Sequence, residues 1–186
     1  YADGSSIFKC PDMEQYFMRC FGEDGGRVID DVKRDRRISV FVTHEVLPNI
    51  GIFFEAFPRF RMVHILRHPV DLIHSWYQRG LGEREIQDPL SLSPFVKVAN
   101  RSVPWFASRW SAEYGRLSRI DRVIRSIAAI SEMGQESFRA LPPAKKGKVL
   151  FVRYEDVVER TWAVVGAIAK FLGTKPSPSM GTILAR

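Results

Sequence analysis

The sequence has few cysteines and no long apolar run, and both absences narrow the class of protein. Cys10 and Cys20 are the only cysteines among 186 residues. They are too few for a disulfide framework, and they lack histidine or cysteine partners at metal-ligand spacing. No apolar run approaches the roughly 18 residues that a membrane-spanning helix needs. We therefore expect ordinary thiols in a reducing compartment, a cytoplasmic location and no integral membrane segment.

An arginine-rich low-complexity tail is also lacking, although the chain is basic. The formal net charge is +7, which favours an anionic partner. Acidic residues are mixed with the basic ones throughout, a distribution that argues against a dedicated nucleic-acid binder. Hydrophobic residues make up 45% of the chain, enough to fill one core. We predict a single domain over residues 1–186.

Short apolar runs alternate with segments of helical periodicity. Such alternation predicts an α/β fold with a mainly parallel sheet flanked by helices in three layers. The segment Leu81–Pro104 is rich in Pro and Ser and has little periodicity, so it is predicted to be a long loop. The predicted strands are Ile38–Val42, Met62–Leu66 and Val149–Val152, and the predicted helices are Met13–Phe21, Leu47–Phe57, Val70–Gln78, Trp105–Arg139 and Thr161–Leu172.

Polar side chains follow each predicted strand, at the edge where parallel sheets bind ligands. They are Thr43-His44, Arg67 and Arg153-Tyr154. Ser75 follows Arg67 by eight residues, about two helical turns along the next helix. A guanidinium and a hydroxyl at this spacing suit a phosphate. The alternative is an arginine that pairs with Asp71 and a serine in a helix interior.

Three segments, in order along the chain, resemble the sulfotransferases that use 3′-phosphoadenosine 5′-phosphosulfate (PAPS). Met62–Tyr77, MVHILRHPVDLIHSWY, resembles the segment that binds the 3′-phosphate of the donor. The resemblance implies that Arg67 and Ser75 hold this phosphate. Val149–Gly173 resembles the strand, Tyr-Glu-Asp and closing helix of the family, which implies that Tyr154 borders the adenine.

The third segment is Val42–Pro48, VTHEVLP. It resembles the segment that presents the catalytic histidine of the cytosolic sulfotransferases, which implies that His44 is the base. The cytosolic enzymes carry a lysine where this chain has Val42. The alternatives for the base are a structural role for His44, bonded to a backbone carbonyl, and a glutamate near the phosphosulfate loop.

The remaining polar and aromatic candidates are assigned structural roles. His64 alternates within a strand and His74 lies mid-helix, so both are expected to be structural or exposed. Glu155 and Asp156 are expected to stabilise a helix N-terminus. Trp105-Phe106 and Trp110 resemble an aromatic cluster of the family, but core packing is the favoured interpretation because large aromatic side chains dominate cores.

The resemblance implies a P-loop nucleotide-kinase-like fold and a sulfuryl transfer from PAPS, as co-substrate, without a metal. The acceptor would be a hydroxyl or amine of a small molecule, glycan or peptide lying against Leu81–Pro104. No segment of residues 1–37 resembles the loop that grips the 5′-phosphosulfate, so the first strand and loop are expected upstream of Tyr1. The alternative is a degenerate member of the family. A catalytically inactive 3′-phosphoadenosine-binding domain is the alternative. Gly-x-x-x-x-Gly-Lys-Ser/Thr is absent, which disfavours a kinase.

Overall fold

The structure is a computed structural model that describes residues 30, 33–34, 38, 40–83, 94–176 and 180–181. The chain divides into two compact units, residues 1–44 and 45–186. The helix predicted over Met13–Phe21 lies outside the described residues. Whether the chain is one domain stays a prediction.

In the first unit, the strand predicted over Ile38–Val42 is wrong for the residues of it that the structure describes. Ile38 and residues 40–42 have no strand conformation, and Val42 is 93% exposed. A strand needs a neighbour to accept and donate its backbone hydrogen bonds. The described part of the chain offers these residues no paired strand.

The second unit contains a parallel pair of strands with helices beside it. Strand β1 (Met62–Leu66) pairs with β4 (Val149–Arg153) in the register that joins Met62 to Val149 and Leu66 to Arg153. Both strands were predicted, and the parallel pairing was expected from the alternation of strands and helices. The helices described in this unit are α1 (Ile50–Ala56), α2 (Pro69–Gln78), α3 (Ser111–Tyr114), α4 (Arg119–Ala140), α5 (Pro143–Lys146), α6 (Tyr154–Glu159) and α7 (Thr161–Leu172).

The segment Leu81–Pro104 was predicted to be a long loop, and its described part is instead largely a β-hairpin. Strands β2 (Phe95–Val98) and β3 (Arg101–Pro104) pair antiparallel. Ala99 lies in the turn between them at φ 52, a left-handed conformation that glycine or asparagine usually provides. The turn therefore lacks the residue pattern by which hairpins are recognised in a sequence.

The single helix predicted over Trp105–Arg139 is confirmed from Arg119 onward and is wrong before it, where the chain forms two shorter helices. Trp105–Trp110 is a 3-10 helix, α3 follows it, and α4 begins only at Arg119. Ser118 caps α4, since its hydroxyl oxygen accepts from the backbone N–H of Asp121 at 3.3 Å. Such caps satisfy backbone donors that a helix start leaves unpaired.

Among the described residues, the core contains two clusters of buried side chains, and α4 packs on both. The first cluster joins the 3-10 turn Leu47–Asn49, α1 and β1, and the second joins β3 to the aromatic residues after it. Burying an aliphatic or aromatic side chain contributes about 1.5–3 kcal/mol. The first cluster is Leu47, Ile50, Phe54, Met62 and Leu141, and the second is Val103, Phe106, Ala107, Trp110 and Tyr114.

The turn after α2 contains a glycine that no other residue can replace without strain. Gly82 is buried at φ +86, and a Cβ there would lie 2.6 Å from the backbone oxygen of Arg119 and 2.9 Å from Cγ2 of Val123. Both the conformation and the space exclude a side chain. The turn therefore approaches α4 more closely than a larger residue would allow.

We expect Gly82→Ala to lower the free energy of unfolding by about 1–3 kcal/mol, through backbone strain and overpacking. Gly166→Ala is the matched control, because Gly166 lies exposed within α7 with nothing within 4 Å of its would-be Cβ. The control should raise stability by about 0.5–1 kcal/mol, as alanine does in helix interiors. Urea unfolding measures both, and equal effects of the two substitutions would contradict the close approach.

Candidate functional site

The candidate site lies at the carboxyl edge of β1 and β4. The register aligns Leu66 with Arg153, so the next residue of each strand, Arg67 and Tyr154, emerges at the same edge. The guanidinium carbon of Arg67 lies 4.9 Å from the centre of the Tyr154 ring. The structure thus brings together two residues that the sequence singled out separately.

This cation–π contact leaves the hydrogen-bonding edge of the guanidinium free. Arg67 has no hydrogen bond or ion pair from its side chain to any residue that the structure describes, and it is exposed. The alternative ion pair with Asp71 is not formed. An arginine stacked on a ring keeps its N–H donors in the guanidinium plane, where they fit a phosphate or carboxylate. The pair is therefore arranged to receive an anion.

The backbone beside Arg67 is fixed by a carboxylate from the neighbouring helix. The backbone N–H of His68 donates to Glu155 Oε1 at 2.8 Å, and Arg153 Nε lies 3.7 Å from Glu155 Oε2. The His68 N–H, with the backbone N–H of Glu155 itself, lowers the pKa of this carboxyl below its usual range. Glu155 lies in the first turn of α6, as expected, but its bond to the β1–α2 turn was missed.

Ser75 lies in α2, half-buried, in the seventh position of that helix. The start of α2 was predicted closely, with Pro69 in the first turn, where its fixed φ and missing N–H suit a helix. At a rise of about 1.5 Å per residue, Ser75 lies roughly 9 Å along the axis from Pro69. The convergence of its hydroxyl with Arg67 on one anion stays a prediction.

The other end of α2 is held by two arginines that the sequence did not single out. Arg119 donates to the backbone oxygens of Tyr77 and Leu81 and lies 4.2 Å from the Tyr77 ring centre. Arg122 donates to the Gly82 oxygen at 2.6 Å. Cationic side chains at a helix C-terminus satisfy its last carbonyls and interact favourably with its dipole. The helix that carries Ser75 is thus fixed to α4.

His44 belongs to the first unit and is exposed. Its role as the base stays a prediction. His64 is half-buried with its ring edge-on to Phe151, and burial lowers its pKa. His74 is exposed on α2. The structural or exposed roles expected for His64 and His74 are confirmed.

The aromatic residues after β3 belong to the core. Phe106 and Trp110 are buried in the second cluster, which confirms core packing for them. Trp105 is half-buried, and its ring nitrogen donates to Glu45 Oε2 at 3.2 Å. Glu45 adopts φ 59, so this bond holds a backbone conformation that is uncommon outside glycine and asparagine.

Comparison with known protein families assigns the chain to one of them. A family model described as the sulfotransferase domain matches residues 7–184, so the chain belongs to the sulfotransferase family. Comparisons with curated proteins and with solved structures gave no match. The resemblance read from the sequence is confirmed at the level of the family.

Two further properties concern the described residues alone. None of their helices is both long and apolar enough to cross a bilayer. They also contain no cluster of three or more His, Cys, Asp or Glu side chains placed to hold a metal ion.

We expect Glu155→Ala to destabilise the protein more than Glu155→Gln, because glutamine retains an oxygen that accepts from the His68 N–H. The lowered pKa of Glu155 means that its stabilisation is present above the ordinary value of 4.5 and is lost as the pH falls through its lower folded-state pKa. Thermal unfolding of the three proteins between pH 7 and pH 3 measures this. A difference between wild type and Glu155→Ala that stays constant with pH would refute the role of the carboxylate.

Proposed function

We propose that this sulfotransferase-family chain transfers a sulfuryl group from PAPS to a hydroxyl or amine of an acceptor. The observation that carries the proposal is the cation–π contact between Arg67 and Tyr154 at the carboxyl edge of β1 and β4. Nucleotides bind at this edge in α/β folds. In the family, the residues at these two positions border the 3′-phosphate and the adenine of the donor.

The 3′-phosphate is proposed to bind between Arg67 and Ser75. Arg67 supplies a permanent charge and a planar pair of donors, and the Ser75 hydroxyl adds a donor without charge. The Glu155–His68 bond fixes the backbone next to Arg67, so less conformational entropy is lost on binding. This arrangement favours a nucleotide with a 3′-phosphate over one without it.

The adenine is proposed to lie against Tyr154. Tyr154 is 41% exposed, and the Arg67 guanidinium lies over its ring. A base stacked on the accessible part of the ring would place its ribose near Arg67. One aromatic side chain would then position both the base and the phosphate-binding arginine.

In the proposed reaction, the acceptor oxygen or nitrogen attacks the sulfur in line with the bond that breaks. The new bond joins the acceptor to sulfur, and the bond between sulfur and the 5′-phosphate oxygen breaks to release 3′,5′-ADP. His44 accepts the proton of the attacking group. The P-loop nucleotide-kinase-like fold and the upstream position of the 5′-phosphosulfate loop stay predictions.

The first test compares the binding of 3′,5′-ADP and 5′-AMP by calorimetry. Wild type is expected to prefer 3′,5′-ADP by about tenfold or more, since a hydrogen bond to a charged group is worth about 1.5–3 kcal/mol. Arg67→Ala should abolish the preference and Ser75→Ala should reduce it. Arg79→Ala, which removes the same charge from an exposed position just after α2, should leave it unchanged. Retention of the preference by Arg67→Ala would refute the site.

The second test measures transfer of labelled sulfate from PAPS to a panel of hydroxyl and amine acceptors. His44→Ala is expected to slow transfer by about 10²–10⁴-fold, the usual contribution of a general base, without changing 3′,5′-ADP binding. His74→Ala is the control, because His74 is exposed on α2. Transfer by His44→Ala at the wild-type rate would exclude His44 as the base, and binding of 3′,5′-ADP without any transfer would favour the inactive domain.

A further inference from the structure

A cavity lies away from the edge of β1 and β4. Its volume is about 350 Å³, within the range of small-molecule sites. It opens between the β2–β3 hairpin and the bend that joins α3 to α4. Its lining residues are Arg101, Ser102, Val103, Ser111, Ala112, Tyr114, Gly115 and Arg116.

The cavity carries uncompensated positive charge. Arg101 and Arg116 line it from opposite elements, and both are exposed. Neither side chain forms a hydrogen bond or ion pair with any residue in the described ranges. The acidic residue of α3, Glu113, is already paired with Arg125. Two guanidinium groups around a concave surface form an electrostatic site for an anion.

The base of the cavity belongs to the core. Val103 and Tyr114 are 3% and 4% exposed, as members of the second core cluster. Arg122 lies over the Tyr114 ring at 5.7 Å and donates to the Gly82 oxygen. The hydroxyls of Ser102 and Ser111 add donors without charge. A ligand would therefore contact buried core residues at the base of the cavity and arginine side chains at its sides.

We propose that this cavity binds an anionic group, a carboxylate or a sulfate, on the acceptor. The inference rests on the proposed function and adds the class of acceptor to it. Arg101 and Ser102 belong to the segment Leu81–Pro104, against which the acceptor was expected to lie. The acceptor would carry its negative charge at a position apart from the group that receives the sulfuryl.

Three matched ligands test the proposal: phenyl β-glucoside, phenyl β-glucuronide and phenyl β-glucoside 6-sulfate. They share the ring system and differ in charge, and ligand-observed NMR titration measures their dissociation constants. Wild type should bind at least one of the two anionic glycosides about tenfold or more tightly than the neutral one. The tighter of the two then identifies a carboxylate or a sulfate as the preferred group.

The variant Arg101→Gln/Arg116→Gln should lower the affinity for the anionic glycosides to that for the neutral one. Arg116→Gln alone should give an intermediate loss. The control Arg109→Gln/Arg139→Gln removes the same charge from two exposed arginines outside the cavity lining and should have little effect. Equal binding of all three ligands by wild type, no binding of either anionic ligand, or an equal loss in the control variant would overturn the proposal.

Titration of 3′,5′-ADP into the same samples separates this proposal from the proposed function. The cavity variant should bind 3′,5′-ADP as wild type does. If wild type discriminates the anionic glycosides but does not bind 3′,5′-ADP, the anion site stands and its role as an acceptor site falls. If 3′,5′-ADP binds and the glycosides are not discriminated, the proposed function stands and the cavity proposal is wrong.

Discussion

The parallel pairing of β1 with β4 is the constraint on which the candidate site depends. Its register brings Arg67 and Tyr154 out at one edge, although 87 positions separate them in the chain. A shift of one residue would turn every side chain of a strand to the opposite face. Burial of Met62 and Val152 opposes such a shift, so the hydrophobic core determines which polar groups meet at the edge.

The second constraint is that α2 is fixed at both ends. Glu155 accepts from the backbone next to its start, and Arg119 and Arg122 bind the carbonyls at and beyond its end. A site on a helix held in this way loses little conformational freedom when a ligand binds. The same Arg122 lies over the ring of Tyr114. One residue of α4 therefore contacts both the turn after α2 and the base of the cavity.

Local sequence patterns predicted the strands and helices next to the site. The elements that were missed or predicted wrongly depend on contacts between distant segments. Strand β1 has a compact apolar run, α2 has Pro69 in its first turn, and α7 ends at Gly173 with a left-handed conformation. These signals lie within each segment. The β2–β3 hairpin escaped prediction because Ala99 replaces the usual turn residues, and the predicted strand before His44 has no described neighbour with which to pair.

The residues of the candidate site also differ in whether the sequence could predict them. Arg67 and Tyr154 were identified from their positions after strands, but the contact between them needed the register. Glu155 and Arg119 act through residues distant in the chain, for which no short motif exists. In the sequence, Ile120, Ile124, Ile127 and Ser131 recur at a spacing that predicts one face of a helix. Ile120 and Ile124 are exposed, whereas Val123 and Ile127 are buried, since packing on two clusters determines how the helix is rotated.

The most direct test of the central claim is a crystal structure of the protein with 3′,5′-ADP. The account predicts the 3′-phosphate within hydrogen-bonding distance of both the Arg67 guanidinium and the Ser75 hydroxyl, with the adenine against Tyr154. A nucleotide bound with its 3′-phosphate away from the carboxyl edge of β1 and β4 would contradict it.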